Sequence, residues 1–221
     1  PRVVAMRCDA FAKSLPFGTA AEIGRTLLAL PRGTSHDAAL EAIVAFSARS
    51  QDGEPSPMLD FEHELLARIL SNEPLPELAD ARRARDALWL GLTRLVLAPS
   101  SRPLLVSVED AHFADGETIA WLDHLLARAS GRAFFLLASM RSQFWREHAS
   151  HFRGREHVRL ELRPIAKRHA RVIAEHLLGE KGSDTALLDS ITDQSAGSPL
   201  FTEELARLAA PPHAAPLVGR H

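Results

Sequence analysis

Two adjacent carboxylates, Glu109 and Asp110, close the apolar run Leu104-Leu105-Val106-Ser107-Val108, and they are the residues best placed to do chemistry. A short apolar run bounded by turn signals reads as a buried strand. Open parallel α/β sheets form their ligand crevice at the carboxyl ends of such strands. Neighbouring acids there are costly unless something positive is near, and a hydrated magnesium ion with nucleotide phosphates is the usual occupant. In that chemistry one carboxylate holds the metal through water while the other orients or deprotonates the attacking water. Adjacency alone does not say which does which. The plainer alternative is a solvated strand-to-loop turn, which acids favour. His112 and Asp115 follow within one turn and could hydrogen-bond around the pair, although a single histidine is more often structural.

Arg141 is the second candidate. It lies at the carboxyl end of the next apolar run, Phe134-Phe135-Leu136-Leu137-Ala138, so a parallel sheet brings it out beside Glu109 and Asp110. A cation there can sense or stabilise a terminal phosphate; equally, it can simply form a salt bridge with the acids. The third is Gly197-Ser198-Pro199-Leu200-Phe201, which reads locally as a helix start with a serine cap and proline at the first position. A ligand could also dock on the exposed Gly197 and Pro199 backbone. Other possibilities are weaker. His148 and His151 are three apart with no third ligand, no G-x-S-x-G elbow occurs, and Cys8 reads as a packing residue.

The elements that must position these groups alternate. Val3–Met6 reads as a strand, then helices are expected over Ala20–Leu30, Ala38–Phe46, Phe61–Leu70 and Ala81–Leu97, the last capped by Asp80. Asp115 is expected to cap a helix carrying Ile119, Leu122, Leu125 and Leu126 inward. Phe134–Ala138, continuously apolar, is expected to be buried on both faces. Val158-Arg159-Leu160-Glu161-Leu162 alternates and is expected near a sheet edge. Helices over Ile165–Leu178, from the Asp184 cap to Gln194, and over Pro199–Ala209 follow. Strands alternating with helices mean a parallel α/β sheet with right-handed crossovers. The reading gives a core over 1–163, a helical lid over 164–210 and a disordered tail over 211–221.

Composition narrows the function. With 221 residues, 46% of them hydrophobic, the chain can bury a sizeable core. A net charge of −2, with arginines scattered among acids, argues against a nucleic-acid surface. One cysteine rules out an internal disulfide and fits a reducing compartment. The longest apolar stretch, Ala133 to Met140, is far below the ~20 residues that span a bilayer, so a cytoplasmic setting without membrane contact is expected.

Taken together, the chain resembles the STAND/AAA-type signalling ATPases that accompany bacterial serine/threonine protein kinases, adenylate cyclases and large LuxR-type regulators. Four segments carry the resemblance: Met6-Arg7-Cys8-Asp9 with Pro16-Phe17-Gly18, Val106–Asp115, Ala138-Ser139-Met140-Arg141, and Gly197-Ser198-Pro199-Leu200-Phe201-Thr202-Glu203-Glu204-Leu205. The second is similar to h-h-[ED]-D-x-H-W-x-D, with Phe113 in place of tryptophan. The last is similar to G-[NS]-P-[LF]-[FY]-x-E-E-L. After the sensor arginine, Ser142-Gln143 replaces the frequent Pro-Glu. The resemblance implies a P-loop NTPase-like core of the ASCE type with ATP and Mg2+ as ligands. Glu109 and Asp110 would be the magnesium and water-activating acids, Arg141 the sensor, and Gly197 and Pro199 the lid's nucleotide-facing turn. The partner would be a covalently linked kinase, cyclase or DNA-binding effector domain, with a catalytically silent interaction or autoinhibitory domain as the alternative.

One part of that pattern is missing. No G-x-x-x-x-G-K-[ST] occurs, and Pro1 leads at once into a strand-like run. The expectation is therefore a fragment cut downstream of its phosphate loop and unable to bind ATP tightly alone. The family's strand order, 5-1-4-3-2, would put the lost strand between Phe134–Ala138 and Val158–Leu162. The latter would then either pair with Phe134–Ala138 or hang beside an open edge.

Overall fold

The computed structural model describes residues 1–10, 15–49, 60–76, 80–179, 182 and 184–210, so the expected tail at 211–221 lies outside the described residues. The chain divides into two compact units, Pro1–Glu156 and His157–His221.

The first unit is α/β. Its sheet has three parallel strands, β1 (Arg2–Arg7), β2 (Leu104–Glu109) and β3 (Phe134–Ala138), in the order β1-β2-β3. The register aligns Val4 with Val106 and Val106 with Leu136, and at the carboxyl edge Arg7 with Glu109. Helices α1 (Gly18–Leu27), α2 (His36–Arg49), α3 (Asp60–Ser71) and α4 (Ala81–Leu97) separate β1 from β2, and α5 (Gly116–Arg128) separates β2 from β3. A short α6 (Phe144–Glu147) follows β3. Parallel neighbours require such crossovers, which carry the apolar layer that covers the sheet.

Alternation along the strands sends Val4, Val106 and Val108 into that layer, where they meet Ile23, Leu66, Leu92 and Trp121 in one buried cluster. The expected caps form: Asp80 accepts from the Arg83 N–H and Asp115 from the Thr118 N–H. Helix α1 ends earlier than expected, because the chain turns at Ala29, whose φ is 57°.

Two expectations about the sheet fail. β3 is not buried on both faces. Phe134, Leu136 and Ala138 pack on the helix layer, while Phe135 is 64% and Leu137 53% exposed. Among the described residues β3 pairs with β2 alone, and on the same face Val3 is also exposed. A continuous apolar run states that burial is favourable, not that a second layer is present to provide it. Residues 158–162 form no strand, and Val158, Leu160 and Leu162 are all more than four-fifths exposed. Period-two alternation assigns residues to faces, but a strand still needs a partner for its backbone groups.

The second unit contains α7 (Lys167–Leu178), α8 (Thr185–Gln194) and α9 (Pro199–Ala209), packed around Ala174, Leu178, Leu188, Ile191 and Ala206. Arg171 bridges α7 to α8 through Asp189 at 2.8 Å. Among the described residues no helix is long and apolar enough to cross a membrane.

Candidate functional site

The carboxyl edge of the sheet gathers the acid pair and its surroundings. β2 stops because Asp110 takes a left-handed conformation, φ 53° and ψ 38°, which aspartate tolerates better than most residues. One 3₁₀ turn, Ala111–Phe113, then leads to the Asp115 cap of α5.

Ser139, just past β3, joins the two strand tips. Its N–H donates to the Val108 carbonyl at 3.0 Å, its own carbonyl accepts from the Ala111 N–H at 2.9 Å, and its Oγ accepts from the Asp110 N–H at 3.3 Å. On the other side the Cys8 N–H donates to the Glu109 carbonyl at 2.9 Å. The acid pair thus stands on backbone held from both neighbouring strands. Nothing in sequence marked Ser139 for this task beyond being a small polar residue at a strand end.

The cation that meets the pair is Arg7, not Arg141. Arg7 Nε lies 2.8 Å from Asp110 Oδ2, as the register of Arg7 against Glu109 requires. The Arg7 side chain is 74% exposed, so this ion pair is solvated and contributes at most about 1 kcal/mol. Arg141 emerges past β3 at the same edge, exposed, and makes no ion pair among the described residues. The expected arginine-to-acid salt bridge therefore exists with a different arginine. Glu109 is exposed and its carboxylate has no partner among the described residues.

His112 and Asp115 do not serve the pair. Asp115 is buried, and its oxygens are fully engaged elsewhere. Oδ1 accepts from the Thr118 and Phe17 N–H groups, both at 2.9 Å, and Oδ2 from the Thr118 hydroxyl at 2.6 Å. Thr118 Oγ1 in turn accepts from the Ala20 N–H at 3.2 Å, so this clamp ties the start of α1 to the start of α5. His112 is buried against Phe113, ring centroids 4.1 Å apart, with neither ring nitrogen hydrogen-bonded.

Cys8 lies beneath the same edge, buried, 3.4 Å from the Thr19 hydroxyl. Burial pushes its thiol above the ordinary value, the Thr19 hydrogen bond partly opposes this, and Asp115, Asp110 and Asp9 add to the rise. A thiol held in its neutral form is no nucleophile.

Gly197 and Pro199 belong to the second unit. Gly197 has φ +77°, and a Cβ there would come within 2.6 Å of the Ile165 carbonyl oxygen. Its own carbonyl accepts from the Ile165 N–H at 2.8 Å. Ser198 caps α9 by accepting from the Phe201 N–H, with Pro199 at the first turn. The helix-start reading holds for both residues.

Among the described residues no group of three or more histidine, cysteine or acidic side chains is placed to hold a metal. Magnesium does not require one: it keeps several waters and takes one or two carboxylates, with substrate phosphates supplying the rest. Glu109, exposed and unpaired, fits that role; Asp110 fits it only alongside Arg7. Comparison with protein-family models, curated proteins and solved structures finds no match to this chain.

Proposed function

We propose that this chain belongs to an ATP-dependent regulatory module of a cytoplasmic signalling protein, with a P-loop NTPase-like core and a helical lid. The observation that carries the reading is the placement of Glu109 and Asp110 at the carboxyl tip of the central strand of a parallel sheet, with Arg141 past the tip of the next strand. Crevices at that edge are where α/β sheets take nucleotides. The order β1-β2-β3 also matches the 2-3-4 portion of the order that the resemblance implies.

In this reading Glu109 would hold hydrated magnesium or orient the attacking water, because no cation among the described residues restrains it. Magnesium, when bound, would neutralise charge developing on the phosphates. Asp110, fixed by Arg7 and by its N–H to Ser139, would hold its carboxylate at the edge in one orientation. Arg141 would meet the terminal phosphate. The linked effector, a kinase, cyclase or DNA-binding domain, would read the resulting conformational change.

The backbone cradle for the phosphates is not among these residues, so residues 1–221 are expected to bind Mg2+-ATP weakly in equilibrium dialysis. A submicromolar Kd would overturn that. Supplying a strand, phosphate loop and helix of ~40–60 residues ahead of Pro1 should restore binding and hydrolysis. In that longer chain Glu109→Gln and Asp110→Asn should lower turnover by about a hundredfold or more while largely sparing binding. Hydrolysis that survives both changes removes the acid pair from the mechanism.

One observation favours a second reading, a catalytically silent interaction domain. The Arg7–Asp110 pair already neutralises one of the two acids without any ligand. A lengthened chain that neither binds nor hydrolyses ATP would leave this reading standing and remove the first.

A further inference from the structure

Two arginine–carboxylate contacts in the first unit have the same length and opposite surroundings. Arg94–Glu62 and Arg7–Asp110 both measure 2.8 Å. The side chains of Arg94 and Glu62 are 15% and 9% exposed, so parting them strands a desolvated charge. Those of Arg7 and Asp110 are 74% and 32% exposed. Water replaces either of these partners at little cost. The contact therefore holds Asp110 only until something binds its carboxylate better.

The backbone beneath the contact does not depend on it. Arg7 is set opposite Glu109 by the ladder between β1 and β2, which the Cys8 N–H extends by donating to the Glu109 carbonyl. The Asp110 N–H donates to Ser139 Oγ, and Ser139 is tied in turn to Val108 and Ala111. The guanidinium can leave and return without moving either main chain. It is also lightly held: the hydrogen bond runs from Nε to Oδ2, one N–H of the five a guanidinium carries. A bidentate arginine–carboxylate fork would commit two.

A guanidinium and a divalent cation compete for the same carboxylate oxygens. If Glu109 and Asp110 together take hydrated magnesium, Arg7 is the resident cation that has to give way at Asp110. Phosphate offers the displaced guanidinium a second partner, because its planar donors match phosphate oxygens in pairs. β1 and β3 flank β2, so Arg7 stands on the side of the acid pair away from Arg141.

We infer that Arg7 is an exchangeable latch on the acid edge. It neutralises Asp110 in the absence of ligand, and it releases Asp110 and turns to phosphate when a divalent cation and phosphate arrive together. The inference rests on the nucleotide reading of this edge and adds a direction to it: metal alone works against Arg7, and metal with phosphate works with it.

Mn2+ can stand in for Mg2+, since both take oxygen ligands, and water-proton relaxation follows its binding to residues 1–221 without any turnover. Arg7→Gln should move two probes in opposite directions. Free Mn2+ is expected to bind about three- to fivefold more tightly, the range that an exposed ion pair can withhold. Mn2+–tripolyphosphate is expected to bind at least about threefold more weakly, for want of the guanidinium. Loss of any positive charge favours a cation, so Arg141→Gln is the control at the same edge. It should tighten free Mn2+ by less than about twofold, as a screened charge without contact to the acids. In an Asp110→Asn background the gain from Arg7→Gln should vanish, because the carboxylate competed for is gone. The latch is overturned, with the metal edge left in place, by free Mn2+ affinity unmoved in Arg7→Gln, by an equal gain in Arg141→Gln, or by a gain that persists in Asp110→Asn. Tripolyphosphate binding that Arg7→Gln fails to weaken overturns it as well. Mn2+ binding that is indifferent to both Glu109→Gln and Asp110→Asn, or that is absent from Arg7→Gln, removes the edge itself and the nucleotide reading with it.

Discussion

Asp110 and Asp115 stand five residues apart on one strand–turn–helix connection, yet they belong to opposite physical regimes. Asp115 is buried, and between them its two oxygens accept three hydrogen bonds, two from main-chain N–H groups. Asp110 sits at the open edge with a single solvated arginine. Both regions contain a left-handed non-glycine residue. At Asp110 the side chain tolerates that backbone, whereas Phe17, with φ 62°, does not do so readily. Phe17 is held there by its own burial and by Asp115 accepting its N–H. The clamp is architecture, and the open edge is where a ligand can still change something.

The largest expected effect breaks the clamp. Asp115→Ala removes the cap of α5 and leaves the buried Phe17 N–H without an acceptor, which should cost about 3 kcal/mol in urea unfolding. Tryptophan fluorescence suits the measurement, because Trp89, Trp121 and Trp145 all lie in the first unit. A loss below about 1 kcal/mol would place Asp115 with ordinary surface caps and erase the contrast.

The next effect reads the boundary between the regimes. Cys8 lies under the edge with its thiol pushed up by burial and by the nearby aspartates. Alkylation by iodoacetamide at pH 8 should be at least about a hundredfold slower than for an exposed thiol, because it requires opening of the structure. The sign for stability follows. The folded state keeps the Cys8 proton above the ordinary value of 9.0, so this contribution is whole below pH 9.0 and is lost as pH rises beyond it. In Asp115→Ala, alkylation should accelerate, whereas in Asp110→Asn it should not. Equal rates in both variants would mean that Cys8 reports on neither region.

Much of this architecture was legible in sequence, for identifiable reasons. Apolar runs with turn signals located β1, β2 and β3, and Asp80, Asp115 and Asp184 announced their helices, because capping is a local hydrogen bond between near neighbours. Placing Glu109, Asp110 and Arg141 at one sheet edge needed only the parallel topology. What failed depended on partners distant in sequence. Arg7 pairs with Asp110 across 103 residues, and Phe17 meets Asp115 across 98. Local patterning has no term for either. The two sheet errors have the same origin: Leu137 and Leu160 carry the right residue type for burial, but no sequence signal states whether a covering layer or a neighbouring strand is there.

The smallest expected effect is on the open edge itself. Asp110→Asn keeps a residue that tolerates the left-handed backbone and keeps the N–H that donates to Ser139 Oγ. Only the charge facing Arg7 is lost. Because that guanidinium is mostly exposed, the ion pair is screened, and unfolding should shift by less than about 1 kcal/mol. The remaining difference from wild type should shrink in 1 M salt, where the Debye length is about 3 Å. Asp115→Ala should keep most of its deficit there, because hydrogen bonds in the interior are little screened. A salt-insensitive loss above about 2 kcal/mol in Asp110→Asn would show that Asp110 is structural in the same sense as the clamp, leaving Glu109 as the acid of the pair to meet a ligand at that edge.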